Sequence, residues 1–366
     1  MPGWVGIPAL YKENGLSACP LLTGGLNAPT VMRLLLLAPL CLALSFGSAQ
    51  AALNTDSLPA GSVAIVGVDI SAFRASKVGQ ALEKLADLKA KDLEASRKLS
   101  EQLGIDTKKD LQEIVVAIYP GADGKVDEKS ASGVVLVRGK FVPARINAFG
   151  QSNNLPSKPV GKYQAWEARA FIEKLSGEKP KDNAKDAYVV AHSESLVIIA
   201  GAEFLDRALA AADRHEKSTQ FPAAVASKFA AAQQGWFTLY ADATKMEKPK
   251  GDVGVEDLSL VLGENSTDLQ LAIAAGFVSA EKASTMRKQI KGLQAFAMIG
   301  LSDDDGKSPS QKEDLAMLSE LVQKIRIGGD GKQVTLDLDY PADKLAQAFA
   351  KVVAKAQKGA AAPAAK

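Results

Sequence analysis

Cysteine is nearly absent from this sequence, since the only two copies, Cys19 and Cys41, precede residue 52. The chain from residue 52 onward therefore has no disulfide, no thiol nucleophile and no thiolate ligands for zinc or an iron–sulfur cluster. Histidine is equally scarce, with only His192 and His215. The two histidines are far apart in the sequence, and no cysteine is available to complete a ligand set. The sequence therefore predicts no metal site.

An excess of one charge is also lacking. Removing Lys12, Arg33 and Glu13 leaves 42 basic and 41 acidic side chains in the chain from residue 52 onward. This balance excludes a strong general attraction to nucleic acid or to an anionic membrane surface. Aromatic residues are 6% of the total. That is few for a protein that stacks bases or sugars on its side chains, so nucleic acid is not an expected partner.

Residues 32–51 have the three parts of a secretory signal peptide. Met32 and Arg33 form a short basic start, residues 34–46 form an apolar run, and small residues lead to Ala49-Gln50-Ala51. The run is shorter than the ~20 residues of a membrane-spanning helix. The pattern predicts cleavage between Ala51 and Ala52 and an exported protein, periplasmic or secreted, with no membrane span after leader removal.

Residues 1–31 fit no part of a signal peptide. They hold four prolines and only Lys12 and Glu13 as charges, whereas Met32-Arg33 supplies a basic start unaided. We expect translation to begin at Met32 and residues 1–31 to be a non-native extension, with Met1 as the alternative start. Lipidation of Cys41 is a second alternative for the leader, but the preceding Leu40 and the short apolar run disfavour it.

The remaining 315 residues are long enough for one large or two ordinary domains. Apolar runs at 63–68, 114–119, 133–137 and 235–242 indicate strands, while the leucine-bearing region 71–107 indicates a long helix. Phe141-Val142-Pro143-Ala144 matches Phe277-Val278-Ser279-Ala280, each between a strand and a helix. The sequence therefore predicts an α+β fold of two related halves, 52–216 and 217–358, followed by a disordered tail at 359–366. Each half is expected to be an antiparallel sheet with helices on one face, and the first half has the extra long helix.

The predicted unit of a hairpin, a helix, a further short segment and a new strand covers residues 188–199, 202–214, 221–232 and 236–241. In this order the chain resembles bacterial exported proteins of unknown function that carry a repeated hairpin–helix unit. The resemblance covers about a third of the chain. It implies a related fold, and it implies no activity.

Three motifs have ordinary explanations. Gly306-Lys307-Ser308 resembles the end of a phosphate-binding loop, but the first glycine is displaced and aspartates at 303–305 would repel phosphate. The same aspartates resemble a calcium loop that lacks two key ligands. Ser279 and Lys282 have the spacing of a Ser–Lys hydrolase, but Ser279 is better explained as a helix N-cap.

Asp69 and Asp242 are the remaining candidates for a polar site. Each ends the first strand of its half and precedes a hydroxyl residue, Ser71 or Thr244, so helix capping is one interpretation. A shared polar site between the halves is the other.

No catalytic or cofactor motif is present, so the sequence predicts a non-enzymatic binding or assembly role in the cell envelope. The expected partner is a protein or small molecule, and the sequence does not predict the oligomeric state. The alternative is a periplasmic hydrolase built from scattered Asp, Glu, Ser and Lys.

Overall fold

The computed structural model of the chain describes residues 55, 57–86, 90–121, 124, 126, 132–177, 186–214, 235–246, 254–302 and 309–361. Its strands are β1 (Ala64–Asp69), β2 (Leu111–Tyr119), β3 (Ser132–Gly139), β4 (Ser157–Val160), β5 (Tyr163–Glu167), β6 (Ala187–Ser193), β7 (Leu196–Gly201), β8 (Gly235–Asp242), β9 (Val255–Glu264), β10 (Asp268–Phe277), β11 (Arg326–Gly328) and β12 (Gln333–Pro341). Its helices are α1 (Ile70–Ala75), α2 (Lys77–Ala86), α3 (Ala90–Leu103), α4 (Pro143–Ser152), α5 (Ala168–Ser176), α6 (Leu205–Arg214), α7 (Ala280–Ser302), α8 (Pro309–Lys324) and α9 (Ala342–Ala361). The chain is therefore α+β.

The twelve described strands form one antiparallel sheet in the order β11-β12-β10-β9-β8-β1-β2-β3-β7-β6-β5-β4. The expectation of a separate sheet in each half is wrong, because β1 pairs with β8 from Ala64↔Ala241 to Val68↔Phe237. Each of these strands would otherwise be a sheet edge with unpaired backbone groups. Their pairing removes both edges and joins the two parts of the chain.

Helices pack on both faces of the first half of the sheet. Leu205, Ala208 and Leu209 of α6 pack with Val115 and Ile198 on one face, which we call the α6 face. The other face packs against α3, α4 and α5 through a second core cluster. The expectation of helices on one face is therefore wrong for this half. Its strands carry apolar residues at successive positions, so each face needs its own cover.

Three short helices replace the single long helix expected at 71–107. The backbone N–H of Ser76 bonds to the carbonyls of Ala72 and Phe73, and Ser76 has an extended backbone conformation that ends α1. Its hydroxyl also accepts from the N–H of Gly79 at 2.8 Å. The chain therefore turns between α1 and α2, which lets α2 pack against α9 from the far end of the sequence.

Two elements were not expected from the sequence. Strand β4 lies in a stretch rich in Ser, Asn, Pro and Lys, a composition typical of a loop, and α5 follows β5 directly. At the other end, the described helix α9 continues to Ala361, so residues 359–361 are helical where a disordered tail was expected. Among the described residues, no helix is long and apolar enough to cross a membrane.

Candidate functional site

Two rows of apolar side chains cross eight neighbouring strands on the face opposite α6. The strand registers place in the first row, in sheet order, Ile199, Val135, Val116, Val66, Leu239, Leu260, Ile273 and Leu336. The second row holds Val197, Val137, Ile114, Val68, Phe237, Leu262, Leu271 and Leu338. We call these sixteen side chains the apolar face. Neighbouring members come from directly paired residues, so they lie side by side on the sheet.

Helices cover the middle of the apolar face. Phe73 of α1, Val78 and Leu82 of α2, and Leu345 and Phe349 of α9 form one cluster with the part of the face on β1, β8 and β9. Phe73 and Trp236 meet edge to face with ring centroids 4.8 Å apart. This cover buries Val66 and Phe237 almost completely.

Ala283, Met286 and Ile290 of α7 pack with Val334 at one end of the second half, and the cover over the rest of this half is incomplete. The six members of the face on β9, β10 and β12 are all half-buried: Leu260, Leu262, Leu271, Ile273, Leu336 and Leu338. An aliphatic side chain that still contacts water gains about 25 cal/mol for each Å² that a further molecule covers. These six side chains therefore keep part of their apolar surface in contact with water.

The opposite face of the sheet in the second half carries polar and small side chains. Gln270 and Ala272 on β10 are exposed, and Thr335 and Asp337 on β12 lie on the same side as these residues. The strands of the second half therefore alternate between apolar and polar or small residues, as expected of a sheet that differs on its two faces. An apolar ligand would meet the side that bears Leu271.

Asp69 and Asp242 are not brought together by the fold. Because β1 and β8 are antiparallel, Asp69 lies at one end of this strand pair and Asp242 lies at the other. The Asp69 carboxylate accepts from the N–H of Ala72 at 2.8 Å. The Asp242 carboxylate accepts from the N–H of Thr244 at 3.0 Å. Each side chain therefore caps the helical turn that follows its own strand, and burial raises the pKa of Asp69.

His192 takes part in a polar cluster that the sequence did not indicate. Asp213 Oδ1 accepts from the Tyr163 hydroxyl at 2.6 Å and from Lys162 Nζ at 3.1 Å, and it lies 3.2 Å from His192 Nε2. The rings of Tyr163 and His192 stack with centroids 5.0 Å apart. Hydrogen bonds from Tyr163, Lys162 and His192 lower the pKa of Asp213 to about 2. The cluster ties β5, β6 and α6 together, and its single carboxylate is no ligand set for a metal.

Two further buried charged groups, Arg74 and Glu113, also have partners. Arg74 donates to the carbonyl oxygens of Thr107 and Leu111 and lies 3.9 Å from Glu83, and burial lowers its pKa to about 10. Glu113 pairs with Arg138 on the neighbouring strand at 3.0 Å. Among the described residues, no group of three or more His, Cys, Asp and Glu is placed to hold a metal ion.

Other predicted sites lie outside the described residues. These are the cleavage site Ala51-Ala52, Cys19, Cys41, His215, and the loop from Asp303 to Ser308. Ser279 is described, and its hydroxyl accepts from the N–H of Lys282 at 3.2 Å. This bond confirms Ser279 as the N-cap of α7.

The sequence contained a partial signal for the apolar face. Leu258, Leu260 and Leu262 alternate along β9, and Leu269, Leu271 and Ile273 alternate along β10. Alternation shows that each strand has one apolar side. It does not show which strands are neighbours, so the two rows could not be assembled from the sequence.

Neither a protein-family model nor a curated protein matches the chain. Among solved structures, the chain is similar to TP0453 in its crystal form I, with 11% identity over 83% of this chain and 99% of that one and a TM-score of 0.40. Crystal form IV of TP0453 gives 9% identity over 82% and 97% of the two chains and a TM-score of 0.42.

Proposed function

We propose that this chain is an exported, non-enzymatic protein that acts in the cell envelope by binding or assembly. The observation that carries the proposal is the half-buried part of the apolar face on β9, β10 and β12. Contiguous apolar surface that a chain leaves in contact with water marks an interaction site. The partner class that fits this surface is a protein or small molecule with an apolar surface of its own.

The polar groups of the described residues favour binding over a hydrolase. The two most buried carboxylates are Asp69 and Glu113, and each has a structural bond: Asp69 caps a helix and Glu113 pairs with Arg138. Asp213 has its pKa lowered, whereas a general acid at neutral pH needs a raised one. A hydrolase remains the alternative to be tested.

Binding of an apolar fluorescent probe tests the proposal. The full chain should bind 8-anilinonaphthalene-1-sulfonate saturably in its folded state, because the half-buried leucines offer apolar surface. Leu271→Asp should weaken this binding about tenfold, since it places a carboxylate in the middle of the surface. The matched control is Ala272→Asp, one residue along β10 and exposed on the other side of the sheet. Equal binding by both variants, each with unchanged circular dichroism, would contradict the proposal.

Export itself is tested by N-terminal sequencing of the protein taken from the cell envelope. The leader at residues 32–51 supports a mature chain that begins at Ala52. A sequence that begins at Met32 or earlier would contradict it. Met32→Leu separates the two start sites, because loss of the exported protein would identify Met32 as the start.

We further infer that the chain contains two related halves. Support comes from the strand order: counted outward from the centre, the first five strands on one side are β1-β2-β3-β7-β6, and the described strands on the other are β8-β9-β10-β12-β11. On each side the fourth and fifth strands form a hairpin, and its second strand in the sequence pairs with the third strand. Strands β5 and β4 extend the first side only. Phe141 and Phe277 are both buried just before α4 and α7, where the matching tetrapeptides lie. An experimental structure in which 110–214 did not superpose on 250–355 would refute the duplication.

A further inference from the structure

Helix α9 is part of the cover over the middle of the apolar face, yet it has few buried side chains. Of its described side chains, at positions 342–351, 353 and 354, only Ala342 is buried. Helix α6, on the other face of the sheet, is the contrast. It buries five side chains: Leu205, Ala208, Leu209, Ala211 and Ala212. Because few buried apolar side chains predict a small free energy of local opening, α9 should separate from the sheet more easily than α6.

The first residue of α9 is firmly attached to the sheet. Pro341, the last residue of β12, pairs with Asp268 on β10. The N–H of Ala342 donates to the carbonyl of Thr267 at 2.9 Å, and the side chain of Ala342 is buried. The start of α9 is therefore a fixed point from which the rest of the helix extends.

Beyond this fixed point, α9 contacts the apolar face through side chains that water still reaches. Leu345 and Phe349 belong to the cluster over β1, β8 and β9, and both are half-buried. Leu260 and Leu262, which belong to the same cluster, are half-buried as well. Partial burial on both sides of a contact gives only part of the free energy that full burial would give. The apolar contact of α9 is therefore weaker than that of α6.

Ion pairs at the surface supply the other contacts of α9. They join it to α8 and to α2 through three pairs of described residues: Lys344 with Glu320, Lys351 with Glu313, and Asp343 with Lys77. All six side chains are at least a third exposed. Ion pairs exposed to this extent contribute little to stability, because water and salt screen them. These contacts can therefore break without unfolding the sheet.

The closed position of α9 has an unfavourable contact at Trp236. The cluster that contains Leu345 and Phe349 buries Trp236, and among the described residues its indole N–H has no hydrogen-bond partner. Trp166 is the contrast, since its indole N–H donates to Asn147 at 3.0 Å. A buried donor without an acceptor favours any state in which water can reach it. Trp236 therefore favours opening of the cluster.

We propose that α9 is a lid on the apolar face, hinged at Pro341 and Ala342 and closed by the three ion pairs. The inference rests on the binding role proposed above, because it states how a ligand gains access to that surface. In the open position, Leu260 and Leu262 lose the cover of α9 and become accessible. The lid and the ligand compete for the same apolar side chains.

Hydrogen exchange of the full chain, followed by mass spectrometry, tests whether α9 opens. The amides of residues 346–354 should exchange at least about tenfold faster than the amides of α6, because α9 opens without global unfolding. Lys344→Met should accelerate the exchange of α9 by about two- to fivefold, since it removes one exposed ion pair. The matched control is Arg97→Met, which removes an exposed ion pair within α3 and should leave the exchange of α9 unchanged. Exchange of α9 as slow as that of α6 would overturn the proposal.

A covalent link between α9 and α8 tests whether opening admits a ligand. In a full chain with Cys19→Ser and Cys41→Ser, the pair Glu320→Cys and Lys344→Cys is joined by a short, reducible bis-maleimide. The linked chain should bind 8-anilinonaphthalene-1-sulfonate at least about fivefold more weakly than before linking, and reduction of the linker should restore binding.

The control for the link is the pair Arg97→Cys and Glu101→Cys, one turn apart on α3, treated in the same way. Its link should leave probe binding unchanged. If the link between α9 and α8 also left probe binding unchanged, the lid would be refuted.

These outcomes separate the lid from the binding role of the apolar face. If Leu271→Asp weakens probe binding and the link between α9 and α8 does not, the apolar face is supported and the lid is overturned. If the natural chain binds no probe although α9 exchanges faster than α6, the binding role is overturned and the hinge of α9 is supported.

Discussion

Asp213 has three neighbours that are remote from it in the sequence, namely Lys162, Tyr163 and His192. Lys162 and Tyr163 are 51 and 50 positions away, and His192 is 21 positions away. No local pattern predicts such a cluster, because it forms only when β5, β6 and α6 meet. Its effect on folding can be measured through the pH dependence of stability.

Asp213→Asn should lower stability at neutral pH and have no effect in strong acid. The folded chain holds the pKa of Asp213 at about 2, below its ordinary value of 3.8. The stabilisation is therefore complete above about pH 4 and is lost as the pH falls to 2. We expect at most about 1 kcal/mol, because solvent screens a side chain that is 40% exposed.

Urea unfolding of the natural chain and of Asp213→Asn at a series of pH values measures this difference. Asp314→Asn, which changes an exposed aspartate on α8, is the control. If the difference in the free energy of unfolding between the natural chain and Asp213→Asn grew below pH 4, it would contradict the lowered pKa of Asp213.

Arg74→Met should lower the free energy of unfolding more than Asp213→Asn does. Its guanidinium is buried and donates to the carbonyl oxygens of Thr107 and Leu111. Methionine fills a similar volume but leaves these carbonyls without their donor, which should cost about 2–4 kcal/mol. Arg97→Met, at an exposed arginine on α3, should change the free energy of unfolding by no more than about 0.5 kcal/mol. Equal losses for the two variants in urea would show that Arg74 has no special role.

At the scale of the element, α2 is bonded to two elements that lie far from it in the sequence, β9 and α9. The carboxylate of Glu264, at the end of β9, accepts from the N–H groups of Lys77 at 2.7 Å and Val78 at 3.0 Å. The first N–H groups of a helix have no partner within the helix, so Glu264 satisfies two of them and places a negative charge at the positive end of the helix dipole. Lys77 also pairs with Asp343 of α9 at 2.8 Å.

Glu264→Ala should destabilise the protein by about 1–2 kcal/mol, because it removes an acceptor at a helix N-terminus. Glu264→Gln keeps an acceptor but loses the charge, so its loss should be smaller. Glu101→Ala, at an exposed position within α3, is the control and should have little effect. Thermal unfolding followed by circular dichroism at 222 nm checks the order of the three variants. A loss for Glu264→Gln as large as that for Glu264→Ala would show that charge alone matters.

For the whole molecule, the continuous sheet predicts cooperative unfolding. Trp166 is buried in the part that contains β5, and Trp236 is buried on β8. Because β1 and β8 pair across the centre, loss of one side exposes an edge strand of the other, so both sides should unfold together. In a Trp4→Phe background, Trp166→Phe and Trp236→Phe each leave one tryptophan, which reports on one side of the sheet. Within each variant, the urea midpoint from tryptophan fluorescence should equal the midpoint from circular dichroism. Fluorescence and circular dichroism midpoints that differed within either variant would show that the sides unfold separately.

Local sequence patterns were enough to predict most of the individual strands and helices. Apolar runs indicated β1, β2, β3 and β8, and Ser279 indicated the start of α7. These signals rest on the side chains of a few neighbouring residues and on the geometry of one strand or one helix turn. The elements β4 and α5 were missed because both are short, with four and nine residues, and because β4 contains Pro159.

Contacts between distant residues depended on the assembled fold. The pairing of β1 with β8, the two rows of the apolar face and the separation of Asp69 from Asp242 all follow from sheet order and register. Edge strands pair through backbone N–H and C=O groups, which nearly every residue has. The sequence of an edge strand therefore does not determine which other edge strand it pairs with. Helix α7 is a contrast: its apolar residues Leu293, Phe296 and Ile299 can be read in the sequence, but their exposure depends on the fold, in which α8 packs against the other side of α7.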